Sequence, residues 1–175
     1  MSFKSTAHIK KSFLAAAVLM LIITAAAVIL LWLSSDYLAL YNAQSGKVYL
    51  SEKAEEGFTF SVEFIHSVNK TPVKDTYIIE NGDIKAYSTT YRSFGAGVQT
   101  ALQDGQKLSY DSDGNMIITG YDITFEPLRY IVSAAYDHIL FIGGEEISLR
   151  DMCGKNTRVV FEVVPLYKIL TKGLI

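Results

Sequence analysis

The sequence predicts an all-β fold, a β-sandwich or barrel of about nine or ten short strands, preceded by one N-terminal transmembrane helix. Three observations predict it. Residues 13–33 are a 21-residue apolar run broken only by Thr24. Beyond it, runs rich in β-branched and aromatic residues are separated by turn signals roughly every 8–12 residues. Outside the apolar run, no long segment carries the period of a helix.

At the usual rise per residue the apolar run spans about 31 Å, enough for a hydrocarbon core of about 30 Å. Lys4, Lys10 and Lys11 precede it, and no acidic residue occurs before Asp36. That asymmetry predicts a cytoplasmic N-terminus (1–12), a single-pass signal-anchor (13–33) in the cell membrane and an extracytoplasmic β-domain (36–175). Trp32 and Tyr37 suit the interfacial aromatic belt. A cleaved signal peptide is the rival reading. Its apolar region is usually about 7–15 residues, and Leu31-Trp32-Leu33-Ser34-Ser35 is bulky where a cleavage site needs small residues. The segment is expected to stay attached.

The outer piece is a normal size for one domain with a real core. It holds all 18 acidic residues and 13 of the 16 basic ones, a net charge near −5. Such a surface argues against nucleic acid and against an anionic membrane face. Cys153 is the only cysteine, so neither an internal disulfide nor a thiolate metal cluster is expected.

In chain order, 36–42 reads as an exit strand and 47–51 as a second strand after Gly46. The strongest strand is 58–66, where Phe58, Phe60, Val62, Phe64 and His66 share one face. Strands 73–80 and 83–93 are joined by Asn81-Gly82, a strong short-range hairpin signal. A two-residue loop sets Glu80 opposite Asp83, Tyr77 opposite Ala86 and Asp75 opposite Ser88. Strands at 107–110 and 115–119 flank a turn at 111–114; 123–133 is interrupted by Pro127; 138–142, 146–150 and 158–164 complete the set. The tail, 165–175, suits a helical turn and a half.

His66 ends a row of apolar residues and has two ring nitrogens that need partners. It could ligate a metal, bind an anion, or pair with a carboxylate, Asp75 before Glu63, because Glu63 lies on the opposite strand face. The reading the residues favour is a loop clamp, the imidazole bonded to backbone around 69–73. Ser67 points away from its neighbour, so the two do not form a nucleophile–base pair. Ser93-Phe94-Gly95-Ala96-Gly97 frees the backbone for a close approach or an anion nest, or simply for a tight corner. It lacks the context of a nucleotide fingerprint. Asp111-Ser112-Asp113-Gly114 lacks calcium-loop spacing and reads as a hairpin turn.

Phe64-x-His66-Ser67-Val68, Pro72-Val73-x-Asp75-x-Tyr77 and Ser93-Phe94-Gly95-Ala96-Gly97-Val98 together resemble a small prokaryotic family of unknown function. Its members are membrane-anchored or exported β-rich domains, associated with tripartite ATP-independent periplasmic (TRAP) transporters whose solute receptor is of the TAXI type. The family commonly has glutamate where this chain has Asp75. The resemblance implies a setting beside such a transporter, with its permease or receptor as partner; it implies no reaction.

The expectation is therefore a non-catalytic accessory module, with no metal and no cofactor, whose candidate contact residues are His66, Ser67, Asp75, Ser93, Phe94, Gly95, Ala96 and Gly97. The short anchor-to-strand connection predicts that this region lies near the membrane surface. The alternative is a β-domain that binds a small ligand or metal through His66, Asp75 and Gly95–Gly97. An enzyme is disfavoured, because no nucleophile–base pair and no zinc-type histidine cluster is readable.

Overall fold

The computed structural model describes residues 3–68, 70–92 and 101–172. Helix α1 (Phe3–Leu33) leads, and its segment Phe13–Leu33 has a mean hydropathy of 2.9, long and apolar enough to cross a membrane. Ser34 and Ser35 close it by donating their hydroxyls to Leu31 O at 3.0 and 3.2 Å, filling an acceptor that a helix end leaves open.

The remainder runs β1 (Asp36–Asn42), β2 (Val48–Lys53), β3 (Thr59–Ile65), β4 (Pro72–Glu80), β5 (Asp83–Tyr91), β6 (Lys107–Tyr110), β7 (Met116–Thr119), β8 (Thr124–Phe125), β9 (Leu128–Ile131), β10 (His138–Ile142), β11 (Glu145–Ser148), α2 (Leu149–Cys153), β12 (Arg158–Pro165) and α3 (Leu166–Lys172). The strands form two antiparallel sheets. One has four strands in the order β2-β1-β12-β9. The other has eight, in the order β11-β10-β3-β4-β5-β7-β6 with β8 also on β5. The all-β expectation therefore holds, with twelve strands among the described residues rather than nine or ten.

The alternation read in β3 fixes the core. Phe60 and Val62, with Tyr77, Ile79, Ile84 and Leu140, face Leu38, Leu40, Leu128, Val159 and Phe161 of the smaller sheet. Phe60 stacks on Phe161 across the gap at 5.2 Å between ring centroids. Each fully buried side chain of this kind contributes roughly 1.5–3 kcal/mol.

The β4–β5 hairpin turns where expected, with Asn81 and Gly82 at φ 55° and 79°, the positive-φ pair that matches strand twist. Glu80 faces Asp83 and Tyr77 faces Ala86, as the two-residue loop predicts. Asp75, however, faces Thr89 and not Ser88. A β-bulge at Tyr87 inserts one residue in β5 and reverses which side chains point inward. It falls where the outer edge of β5 passes from β8, paired at Ile84 and Lys85, to β7, paired from Ser88. Gly120, at the end of β7, meets Gly105 so closely that an added Cβ would lie 2.3 Å from Gly105 O.

The expected strand at 146–150 ends early. Ser148 accepts from Asp151 N–H at 3.0 Å and caps α2, which stops at Gly154, φ 88°; a Ser with an acid three residues on favours a helix start. The tail forms α3, as expected.

Two chains of contacts locate the ends of the sandwich. Leu166 N–H donates to Ser35 O and Ala54 N–H to Asp36 O. The following loop meets the hairpin turn, where Asn81 N–H donates to Glu56 Oε2. The Asn81-Gly82 turn thus lies at the α1 end, and β3 runs from there to His66, about 20 Å for its length. Independently, the outer ends of β12 and β9 meet at Thr157 and Val132. The chain then passes Tyr136, whose ring carries Lys70 Nζ at 5.1 Å. The His66 turn is therefore at the end remote from α1. The expectation that it lies near the anchor is overturned, because β3 carries the chain away from the helix.

Candidate functional site

Past the end of β3, His66 holds a tight turn. Its N–H donates to Thr71 O at 2.9 Å, its carbonyl accepts from Lys70 N–H at 2.9 Å, and its Nδ1 accepts from Val68 N–H at 3.3 Å. The turn is clamped in the manner the residues favour, but this imidazole bond reaches Val68, just before the expected 69–73 stretch, and the bonds to Lys70 and Thr71 come from the His66 backbone. Ser67 is exposed in the same turn. Ser93, Phe94, Gly95, Ala96 and Gly97 lie outside the described residues.

Asp75 is elsewhere. The register sets it opposite Val62, and His66 lies four residues further on, just past the end of β3, about 13 Å by strand rise. The pairing of His66 with Asp75 weighed from sequence is not the arrangement of the sheet. Instead Asp75 occupies the inner face in a row that runs Leu140, Val62, Asp75, Thr89, Ile118. Its flanking positions on β4, Val73 and Tyr77, are buried. Because the bulge turns Thr89 inward, the Thr89 hydroxyl donates to Asp75 Oδ1 at 2.8 Å.

Around this pair is a ring of phenols. Tyr121 lines the same cavity as Thr89. The Tyr77 hydroxyl bonds that of Tyr130, joining the two sheets. Burial pushes the Asp75 carboxyl above its ordinary range, and the Thr89 bond only partly offsets it. Burial also raises Tyr77, Tyr91, Tyr121 and Tyr130, Tyr91 to about 12, and the Asp75 charge pushes each the same way. A cavity of about 130 Å³ opens beside Asp75 and Thr89, walled by Tyr77, Tyr121 and Phe125.

At the His66 end a second aspartate behaves differently. Asp137 accepts from His138 N–H at 2.7 Å, Arg150 N–H at 3.1 Å and Ser148 Oγ at 2.5 Å. Burial would raise its carboxyl, but these bonds and the Arg150 charge hold it below its usual range. His138 stacks on Phe64 and meets Tyr130 edge-on, and burial lowers its pKa. Among the described residues, no hydrogen-bond partner reaches the buried Nε and Nη2 of Arg150.

Other reactive groups are quiet. The Asp111 carboxylate is engaged by Asp113 N–H, Asn115 N–H and Asn115 Nδ2, a hairpin turn as read. Burial pushes the Cys153 thiol up to about 11, away from the thiolate a nucleophile needs. Among the described residues, no three His, Cys, Asp or Glu side chains converge as metal ligands.

Sequence reasoning missed Thr89, Tyr121, Tyr130 and Asp137. The signal for Asp75 was present: positions 73, 75, 77 and 79 share a strand face, and three of them are apolar or aromatic.

No curated protein and no solved structure matches the chain. Residues 60–149 match a protein family described as a domain of unknown function (DUF1850). That span contains nearly all of the eight-stranded sheet, together with His66, Asp75, Thr89, Tyr130 and His138, and leaves out β1, β2 and β12. Since the match covers more than half of the 175 residues, the chain belongs to the DUF1850 family.

Proposed function

We propose that this protein is a membrane-tethered, non-catalytic module that works outside the cytoplasm as an accessory of a TRAP-type solute transporter. It offers the His66 end to a TAXI-type solute receptor. The lysines before the apolar run and the lack of acidic residues before Asp36 favour a cytoplasmic N-terminus. The TRAP setting comes from the family resemblance. The observation that carries the choice of partner is the separation of the His66 turn from α1 by the length of β3, about 20 Å. A contact raised that far above a bilayer suits a soluble receptor better than a permease surface within the membrane.

The test is a gentle-detergent pull-down of the full-length protein from its native membranes, wild type beside His66→Ala. The receptor should co-purify with the wild type and be lost from a variant with unchanged circular dichroism. Recovery of the permease alone would move the contact to the α1 end. If no transporter component is recovered, the accessory reading is wrong.

A second reading, a small-ligand site, is favoured by the cavity at Asp75. A half-buried carboxylate with a hydroxyl donor and aromatic walls suits a small organic cation. Calorimetry of the full-length protein with methylammonium should give heat that Asp75→Asn abolishes. Equal heat from acetate or zinc would point to a different ligand class, and no heat from any of the three would remove this reading.

A further inference from the structure

We propose that α3 is a second contact with the bilayer, lying in the boundary between headgroups and acyl chains beside the outer end of α1. The inference rests on α1 crossing the membrane and adds a lipid surface as partner for the C-terminal helix.

The height of α3 is fixed by a hydrogen bond. Leu166 N–H, its first residue, donates to Ser35 O at 2.9 Å, two residues beyond the apolar span. The interfacial layer on each side of the hydrocarbon core is about 6 Å deep, so an element bonded at Ser35 lies within it. The helix is also two-faced. Leu166 is 8% exposed and Ile169 is partly covered, one turn apart on the side toward the sandwich. Tyr167 and Leu170, also one turn apart, are 48% and 53% exposed. A half-bare leucine and tyrosine on one stripe have little reason to face water beside a membrane-spanning helix. An interfacial helix buries such a stripe and keeps an amphipathic tyrosine at headgroup level.

Charge gives the contact its character. After Glu162 the chain has no acidic residue and carries Lys168 and Lys172. The same end of the sandwich nevertheless presents Asp36, Glu55, Glu56 and Glu126, all exposed. The contact is therefore apolar in origin and confined to α3, and it should depend little on anionic lipid. Its consequence is orientation: a chain exit and a docked helix hold the sandwich at two points, so the His66 end is aimed away from the bilayer rather than swinging about one tether.

The sole tryptophan makes the test direct. Trp32 lies in α1, and the double variant Trp32→Phe, Tyr167→Trp moves the only indole to α3. Both proteins are placed in nanodiscs of phosphatidylcholine with and without bromine low on the acyl chains. Bromolipid should quench most of the emission of wild-type Trp32 and of the indole at 167, with blue-shifted emission from both. Adding Leu170→Asp should restore unquenched, red-shifted emission at 167. If Trp32 is quenched but position 167 emits as in water, α1 inserts and the α3 contact is wrong. If neither is quenched, the membrane span itself is wrong and the α3 contact falls with it. Quenching at 167 only when phosphatidylglycerol is added would overturn the apolar origin argued above.

Discussion

Asp75 in β4 and Asp137 in the loop just before β10 belong to one family region, yet the protein treats them in opposite ways. Asp137 accepts three hydrogen bonds, two from backbone and one from Ser148. Those donors tie the loop after β9 to the cap of α2. Asp75 lies mid-sheet in an apolar row and takes a hydrogen bond from Thr89 at one oxygen. The first carboxyl is held below its usual range and the second is pushed above it. A charge supplied with donors serves architecture, whereas a charge desolvated with one donor costs stability. A costly carboxylate beside a cavity is the feature that the small-ligand reading proposed above would use.

The sharpest way to break this contrast is Asp137→Ala. It removes the acceptor for two backbone N–H groups and leaves Ser148 to cap α2 without its anchor. Hydrogen bonds to a charged group contribute more than neutral ones, so a loss of about 2–3 kcal/mol in urea unfolding is expected. A loss below about 0.5 kcal/mol would mean that water replaces the carboxylate and that Asp137 is no clamp.

Thr89→Val sharpens the other side with a smaller effect. The change keeps shape and removes the hydroxyl that donates to Asp75. The ionised carboxyl then loses its Thr89 donor, and a cost of about 1–2 kcal/mol is expected near neutral pH. At acid pH, with Asp75 protonated, the cost should shrink, because a neutral carboxyl needs the donor less. A penalty that is equal at both pH values would show that Thr89 packs rather than serves Asp75.

Much of this was legible before any coordinates. The apolar span, the β3 alternation and the Asn-Gly turn each rest on a local pattern, and each formed as read. The role of Asp75 was half legible, since its strand face could be read from Val73, Tyr77 and Ile79. Its partner could not. Within 84–91 the inward positions are Ile84 and Ala86, then Thr89 and Tyr91, and no local rule marks the change of parity at Tyr87. That bulge depends on two different strands sharing the edge of β5, a non-local fact. Helix α2 is too short to show a period, although its Ser148 cap and Gly154 stop were both in the sequence. The height of the His66 turn above α1 was misjudged for the same non-local reason. A short connection fixes where the first strand starts, and the strand that carries His66 starts near that level and runs away from it.

The smallest expected effect is the most diagnostic. Asp75→Asn keeps an acceptor for Thr89 and removes the charge. The folded carboxyl is raised above its unfolded value, so the folded state holds the proton more tightly. The wild type therefore loses stability as pH rises from the unfolded value, about 3.9, through the folded one, and the deficit persists at neutral pH. Asn has no such deficit, and the variant should be more stable than wild type by up to about 1 kcal/mol at pH 7, with the gap closing toward pH 4. Asp137 and His138 contribute with the opposite sign. Both are lowered in the fold, so their stability is lost as pH falls, His138 first from about 6.5 and Asp137 below about 4. Urea midpoints of wild type and Asp75→Asn across pH 4–8, followed by tyrosine near-ultraviolet dichroism, separate the two trends. If Asp75→Asn is instead less stable at pH 7, the native carboxylate has a favourable partner in the folded protein, and Asp75 belongs with Asp137 as a structural charge.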